Sequence, residues 1–221
     1  GVKYKTRVGE LLFCMSSYYK KDVQEGEKST IENITFEKNI ILPSSMKHMF
    51  IQQYKLKTVN MSNLDTSNVT DMGAMFDDCS SLQSISFKGL NLSKVKNMCA
   101  ILEGCRALKS VDFTGVNTKS LTDMSFMFND CRNLKEIDMT SFNTDKVTGM
   151  YYMFQYCISL KNVKLQSFNT RNVTEMQSMF SECKSLQALD LSNFNIEKVT
   201  NIQCMFYGCR ELKNIYVNAS W

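Results

Sequence analysis

The chain has 221 residues, of which 43% are hydrophobic and 22% are charged, and this composition is typical of one folded domain. Its formal net charge of +4 is small and spread along the sequence, so charge indicates neither a nucleic acid nor a membrane surface as the partner. No apolar run approaches the ~18 residues that a spanning helix requires, and we therefore predict no membrane insertion in this segment.

The first part of the chain, residues 1–38, does not share the repeat that follows it. Apolar residues between Leu11 and Tyr19 have helical spacing, and Ile34 has the neighbours of a strand residue. Residues 1–20 lack the pattern of a signal peptide, so we expect the sequence to be a mature or trimmed part of a longer chain. Because the terminal units of repeat arrays need a polar outer cover, we interpret residues 1–38 as an N-terminal cap.

Residues 39–217 form a tandem array in which several residue types recur every 26 residues. The clearest column is Cys79, Cys105, Cys131, Cys157, Cys183 and Cys209. A leucine column three residues later is Leu82, Leu108, Leu134, Leu160, Leu186 and Leu212. Counting back one interval finds a degenerate unit with Gln53 in the cysteine position, so we count seven units. Such a period is typical of a solenoid, in which each unit buries its apolar face against its neighbours.

The segment that ends at each cysteine has the spacing of a helix. In one unit, the apolar residues at i, i+3, i+4 and i+7 are Met124, Met127, Phe128 and Cys131. These positions share one face of a helix, and Thr122 precedes them as a candidate N-cap. We therefore predict one short helix in each unit.

The segment after each cysteine has the two-residue alternation of a strand. Ile137 and Met139 alternate with polar neighbours, which predicts one short parallel strand per unit. Asn143 and its equivalents follow, and we expect their amide side chains to bond the backbone of the turn and to tolerate left-handed φ. Residues 218–221 are interpreted as the start of a C-terminal cover or tail, and we expect the chain to continue beyond Trp221.

The complete unit reads L-x-x-[IVL]-x-[LF]-x-x-[LF]-N-T-x-x-[VL]-T-x-M-x-x-M-F-x-x-C. Over residues 40–217 it resembles the BspA-like leucine-rich repeats, which occur on the surfaces of bacteria and of some parasitic protists. The resemblance implies an α/β, leucine-rich-repeat-type solenoid of about seven 26-residue units, each with one short strand and one short helix. It also implies a role in adhesion or protein recognition.

Catalytic and metal-binding patterns are weak in this sequence. The single histidine, His48, is out of phase with the cysteine column, so no Cys–His pair is predicted. Cysteines 26 residues apart would be strung along a solenoid and not gathered around one zinc ion. We interpret the column as buried free thiols, with disulfides and zinc as the alternatives. We therefore predict no enzyme activity, no cofactor and no metal site.

The polar strand positions point away from the core, and in a solenoid they form an extended concave face. The residues of this face that we predict to bind a partner are Lys88, Asp112, Glu136, Asp138, Lys164, Asp190 and Tyr216. Its acidic middle suits a partner that offers bases or hydrogen-bond donors. A merely solvated sheet face is the alternative.

Two other surfaces compete with the strand positions. A basic ridge at the ends of the predicted helices consists of Arg106, Arg132, Lys184 and Arg210. It would suit a polyanion such as a sulfated glycan, but interleaved carboxylates dilute its charge. An aromatic group on outward positions consists of Phe126, Tyr151, Tyr152 and Tyr156, and exposed aromatics can mark a contact.

We predict a non-enzymatic protein-recognition or adhesion module of a cell-surface or secreted protein. A host-surface or matrix protein is the expected partner, a glycan is the second possibility, and nucleic acid is not expected. The alternative is a cytoplasmic scaffold or sensor repeat domain of a larger protein, which the free thiols favour.

Overall fold

The chain winds into a β-solenoid of about seven coils in a computed structural model that describes residues 29–36 and 40–221. Its strands are short and follow one another along the chain. They are β1 (Asn33–Thr35), β2 (Ile40–Ile41), β3 (Thr58–Asn60), β4 (Leu64–Asp65), β5 (Ser84–Ser86), β6 (Ser110–Asp112), β7 (Glu136–Asp138), β8 (Asn162–Lys164), β9 (Ala188–Leu191) and β10 (Asn214–Val217). The strand predicted for each unit is therefore confirmed.

Every pairing among these strands is parallel. β1, β3, β5 and β6 form one sheet, while β7 pairs with β8 and β9 pairs with β10. β6 and β7, and likewise β8 and β9, lie side by side, so the strands continue as one stack from coil to coil. A short pair, β2 with β4, lies beside this stack at its N-terminal end. Successive strands are in register at the sequence interval, as the pairing of Asp138 with Lys164 shows.

The predicted short helix is wrong, because the described residues contain no helix. In the coil that ends at Cys131, the amides of Met127 and Cys131 bond to the carbonyls three residues earlier. Between these turns, the amides of Met124 and Phe128 donate to carbonyls of the next coil, 25 residues ahead, at 3.1 Å and 2.9 Å. Successive three-residue turns bring positions i, i+3, i+4 and i+7 to one side, as a helix does. The periodicity was therefore real, although the backbone that produces it is a chain of turns.

Each turn segment contains two residues with left-handed backbone, four positions apart. In one coil these are Phe126 and Asp130, with φ of 58° and 60°. A left-handed residue in the second central position is the requirement of a type II turn, and it reverses the chain before a helix can propagate. The predicted cap residue Thr122 also has another role, because its hydroxyl donates to the Lys96 carbonyl of the preceding coil at 2.9 Å.

A buried threonine connects neighbouring coils at several of the corners that follow the strands. The Thr144 hydroxyl donates to the carbonyl of Asn169 at 3.0 Å and accepts the amide of the same residue at 2.8 Å. Thr118 and Thr170 make the same pair of bonds to Asn143 and Asn195. One side chain thus satisfies both backbone groups of the next corner.

Two features were predicted for the corner asparagines, a side-chain bond to the turn backbone and a left-handed φ, and the first is confirmed. The Oδ1 atom of Asn143 accepts the amide of Asp145 at 3.0 Å, and the equivalent atom of Asn169 accepts the amide of Arg171. The side-chain amide therefore bonds turn backbone as expected. The expected left-handed φ is wrong for these asparagines, and the left-handed residues other than glycine all lie in the turn segments of the described chain.

The core is a set of stacked columns that run the length of the array. Phe128, Phe154 and Phe180 stack face to face, with centroids 5.5 Å and 5.4 Å apart. The cysteine column is buried and unpaired from Cys79 to Cys183, which confirms the interpretation as free thiols in the described residues. Each thiol points at a carbonyl of the preceding coil. Cys131, for example, donates to Leu102 at 3.2 Å.

The proposed N-terminal cap lies largely outside the described residues. Of residues 1–38, the structure describes residues 29–36, and β1 within that segment pairs in parallel with β3. At the other end, β10 supplies the last strand, and the Asn218 side chain bonds the carbonyls of Ser192 and Phe194 at 2.9 Å and 2.7 Å. The boundaries at residues 38 and 217 stay a prediction.

Candidate protein-interaction surface

The outward side chains of the strands line up in columns along one face, here called the strand face. Because the strands are in register, one column continues through Asn60, Ser86, Asp112, Asp138, Lys164, Asp190 and Tyr216. A second column contains Ser84, Ser110, Glu136, Asn162, Ala188 and Asn214. Five of the seven predicted residues therefore lie in a single column, Glu136 lies in its neighbour, and Lys88 lies just beyond the end of β5.

Three aspartates of this face also close the turn at the end of their strands. Asp112, Asp138 and Asp190 each accept the backbone amide two residues later, at 2.9 to 3.0 Å. Hydrogen bonds from that following residue lower the pKa of all three carboxyl groups. These residues therefore have a structural role and carry negative charge at neutral pH.

An ion pair crosses the strand face between neighbouring coils. The Lys164 Nζ atom lies 2.9 Å from an oxygen of Asp138, and both side chains are exposed. Hydrogen bonds from Thr140 and Lys164 lower the pKa of Asp138 to about 2, and the bond to Asp138 raises the pKa of Lys164. Glu136 projects beside this pair from the start of β7. The middle of the face is therefore acidic, with one of its charges already compensated.

The N-terminal half of the strand face is a shallow groove lined mainly by small side chains. Hydroxyl groups from β3, β5 and β6 line it, together with Lys88 and Asp112. Tyr216, at the opposite end, is 58% exposed on the last strand. The face therefore changes along its length from hydroxyl to carboxylate to aromatic, which gives each stretch a different chemistry to offer.

The turn segments, such as residues 124–131, form a second surface of the solenoid, here called the turn face. This surface carries a cleft that was not predicted from the sequence. It is lined by Asp77, Asp78, Glu103, Gly104, Arg106, Asn129, Asp130, Arg132 and Tyr156. Burial, followed by the charges of Glu103 and Asp78, raises the pKa of Asp77 to about 7. Acids that recur at the same position of neighbouring units, such as Asp77 and Glu103, were the signal available in the sequence.

Most residues of the predicted basic ridge form ion pairs with carboxylates of the same chain. Arg106 and Arg132 both contact Asp130, with nitrogen–oxygen distances of 2.7 Å and 2.6 Å, and Lys184 lies 3.1 Å from Glu182. These pairs leave little uncompensated positive charge for a polyanion at those positions.

Within residues 29–36 and 40–221, no group of three histidine, cysteine, aspartate or glutamate side chains is arranged to hold a metal ion. The same part of the chain contains no helix long and apolar enough to cross a bilayer.

Three solved leucine-rich proteins align with this chain. A leucine-rich repeat protein from Bacteroides ovatus aligns with a TM-score of 0.59 at 23% identity, over 86% of this chain and 46% of that one. One from Eubacterium ventriosum aligns at 0.46 and 21% identity, over 81% of this chain and 43% of its own. A leucine-rich cell surface protein from Faecalibacterium prausnitzii aligns at 0.31 and 17%, over 88% and 71%.

The Bacteroides ovatus alignment confirms the predicted resemblance to leucine-rich repeat proteins at the level of the fold. The chain spans less than half the length of that protein. No curated protein is similar enough to the chain to be recognised as a relative. The family described as "Mycoplasma protein of unknown function, DUF285" matches residues 15–137 and 122–221. Because these two matches together cover nearly the whole sequence, the chain belongs to the DUF285 family.

Proposed function

We propose that this chain is a non-enzymatic protein-recognition module that binds its partner mainly through the strand face. The observation that carries this proposal is the contrast between the two sides of the same strands. The inward column repeats Val or Ile from Val59 to Val163, whereas the exposed column changes from Asn60 through Asp138 to Tyr216. Packing accounts for the repetition of the first column and places no such demand on the second.

The chemistry of the strand face favours a partner that offers basic groups or hydrogen-bond donors. Asp112, Glu136 and Asp138 lie on two adjacent strands, and among the described residues only Asp138 has a lysine, Lys164, in salt-bridge contact. Complementary charge at such a patch speeds encounter and selects partners more than it adds affinity. A basic segment of a host-surface or matrix protein fits this pattern better than an acidic glycan does.

We also propose a cell-surface or secreted location, which follows from the resemblance to BspA-like repeats. A cytoplasmic scaffold or sensor role is the second candidate, and the observation that favours it is the set of free cysteines in the described part of the chain. The same strand face would serve either role, so the proposed mode of binding is common to both locations.

The test is a capture experiment on host-cell surface extract and matrix proteins with a charge-neutral variant. The variant Asp112→Asn, Glu136→Gln, Asp138→Asn keeps the Oδ1 acceptors that close the two turns and removes the charges. We expect it to lose the partner that the wild-type chain captures.

Asp65→Asn is the matched control. Asp65 accepts the amide of Ser67 at 2.9 Å in the same kind of turn, but it lies on β4, outside the strand face. Equal capture by the triple variant and by this control would contradict strand-face binding. Capture of nothing by any of the three proteins would favour a spacer role.

A further inference from the structure

Bulky aromatic residues occupy strained positions on the turn face. Phe126, Tyr152 and Tyr156 have φ of 58°, 58° and 59°, which is left-handed backbone. Bulky side chains rarely adopt this conformation, because it brings the Cβ atom too close to the following carbonyl oxygen. Strain of this kind is retained where something else requires the residue.

The fold itself does not require rings at these positions. The equivalents of Phe126 and Tyr152 in other coils are His48, Ala74, Ala100, Ser178 and Cys204. The equivalents of Tyr156 are Gln52, Asp78, Gly104, Asp130, Glu182 and Gly208. The array therefore builds the same turn with small or polar residues, and two adjoining coils alone place aromatics in it.

Phe126 and Tyr152 form one open ring cluster with Tyr151 on the outside of the solenoid, and Tyr156 lies in the same turn segment as Tyr151 and Tyr152. Phe126 stacks on Tyr152 with centroids 4.9 Å apart, and Tyr151 meets both rings edge to face at 5.1 Å and 5.8 Å. All three side chains are half-buried, and Tyr156 is 44% exposed. The rings bury part of one another's surface, and the rest of their aromatic surface remains in contact with solvent.

Negative charge lies on both sides of these rings. Burial raises the pKa of Tyr151, and the nearby carboxylates of Asp123 and Glu175 raise it further. On the other side, Tyr156 borders the cleft that contains Asp77, Asp78, Glu103 and Asp130.

The cleft keeps negative charge of its own, because its four carboxyl groups face only two guanidinium groups, and Asp77, with its pKa raised to about 7, is partly ionised at neutral pH. Both guanidinium groups, on Arg106 and Arg132, are bound to Asp130. Asp77, Asp78 and Glu103 have no comparable partner among the arginines that line the cleft.

We propose that the turn face around Phe126, Tyr152 and Tyr156 is a second binding surface, which docks an arginine-bearing segment of a partner protein. A guanidinium group lies flat on aromatic rings and donates hydrogen bonds in a fixed fork to carboxylates. Rings beside uncompensated carboxylates offer both contacts at once. An ammonium group is also attracted to ring faces, but it is not planar and cannot stack on a ring while it holds a carboxylate with two parallel hydrogen bonds, so arginine is preferred over lysine.

The test uses short arginine-rich and lysine-rich peptides of equal charge, with binding followed by fluorescence anisotropy. The variant Phe126→Ala, Tyr152→Ser, Tyr156→Gln carries residues that the array itself uses at the same positions. Wild-type chain is expected to bind the arginine peptide more tightly than the lysine peptide. The variant is expected to bind the arginine peptide about tenfold more weakly, from the loss of two or three cation–π contacts.

Two further variants complete the test. Glu103→Gln keeps the acceptor for the Asn129 amide, which donates to it at 2.9 Å, and is expected to weaken binding of both peptides through lost charge. The strand-face triple variant removes the other acidic patch, which would attract either basic peptide. In this variant the arginine peptide is still expected to bind more tightly than the lysine peptide, and adding the three aromatic substitutions is expected to abolish that preference, so failure of this proposal and failure of the strand-face proposal are distinguishable.

If the aromatic variant unfolds, Tyr152→Ser and Tyr156→Gln are measured singly, each with an expected loss of about threefold. No binding by the wild-type chain, equal affinity for the two peptides, or unchanged affinity in the folded aromatic variants would overturn the proposal.

Discussion

Asp77 shows how stacking alters a single residue, because its carboxyl group is brought against Glu103 of the next coil. Its pKa, raised to about 7 mainly by burial, lies above the ordinary value of 3.8, so the folded state favours the protonated form. The stability contribution is therefore largest below about pH 4 and is lost as the pH rises towards 7.

We predict that Asp77→Asn raises the free energy of unfolding at pH 8 by about 1–2 kcal/mol, a figure reduced for the partial exposure of the group. At pH 4 the same substitution is expected to have little effect. Urea unfolding at both pH values checks this, with the exposed Asp145→Asn as control. A wild-type pH dependence that persists unchanged in Asp77→Asn would contradict it.

The cysteines make a second prediction at the residue scale. Burial raises the pKa of the Cys131 thiol well above its ordinary value and that of Cys99 to about 12, whereas Cys204 is exposed. In a Cys14→Ser background, an aromatic disulfide reagent at pH 8 should modify Cys204 first and Cys131 only on unfolding. Mass spectrometry of the labelled peptides identifies the sites, and rapid labelling of Cys131 in the folded protein would contradict the buried column.

At the scale of one coil, we predict that the threonine corner contributes to the free energy of unfolding. Thr144→Val keeps the shape of the side chain and leaves the amide and carbonyl of Asn169 without their partner. We expect a loss of about 1–3 kcal/mol in the free energy of unfolding. Thr148→Val is the matched control, because Thr148 is exposed and makes one long bond of 3.4 Å, and its effect should stay within about 0.5 kcal/mol. If Thr144→Val and Thr148→Val lower the free energy of unfolding equally, the two hydrogen bonds between Thr144 and Asn169 are unimportant for stability.

The turn segment marks the limit of what the sequence could predict for an element. Spacing identified Met124, Met127, Phe128 and Cys131 as the buried side, and all four are fully buried. It could not distinguish a helix from linked turns, because both bring i, i+3, i+4 and i+7 together. The deciding contacts are backbone bonds to another coil, and a partner 25 residues away leaves no local pattern of its own.

The position of the strand face could be predicted because it follows from a local pattern, whereas the linked turns depend on backbone bonds to another coil. Alternation about Ile137 and Val163 sets which side chains point outward, and that rule is local. The turn-face cleft was missed because it depends on residues from four consecutive coils, Asp78, Glu103, Asp130 and Tyr156 among them. Its parts were visible in the sequence, whereas their juxtaposition required the stacking register.

For the whole molecule, stability is a sum over coils and the contacts between neighbours. Leu134 is fully buried in the leucine column, and Leu134→Ala should cost about 2–5 kcal/mol and uncouple the coils on either side. Denaturant unfolding should become broader or biphasic, while the exposed Lys135→Ala should leave the transition unchanged. A single sharp transition with the wild-type midpoint would contradict this.

Both proposed surfaces depend on one structural claim, namely that coils are joined by backbone bonds 25 residues apart. The most direct measurement is NMR detection of scalar couplings across hydrogen bonds in deuterated protein. We predict couplings from the amides of Ala74 and Phe126 to the carbonyls of Cys99 and Tyr151, across bonds of 2.8 Å and 3.0 Å. Couplings from these amides to carbonyls four residues earlier would show helices in place of linked turns and would contradict the account.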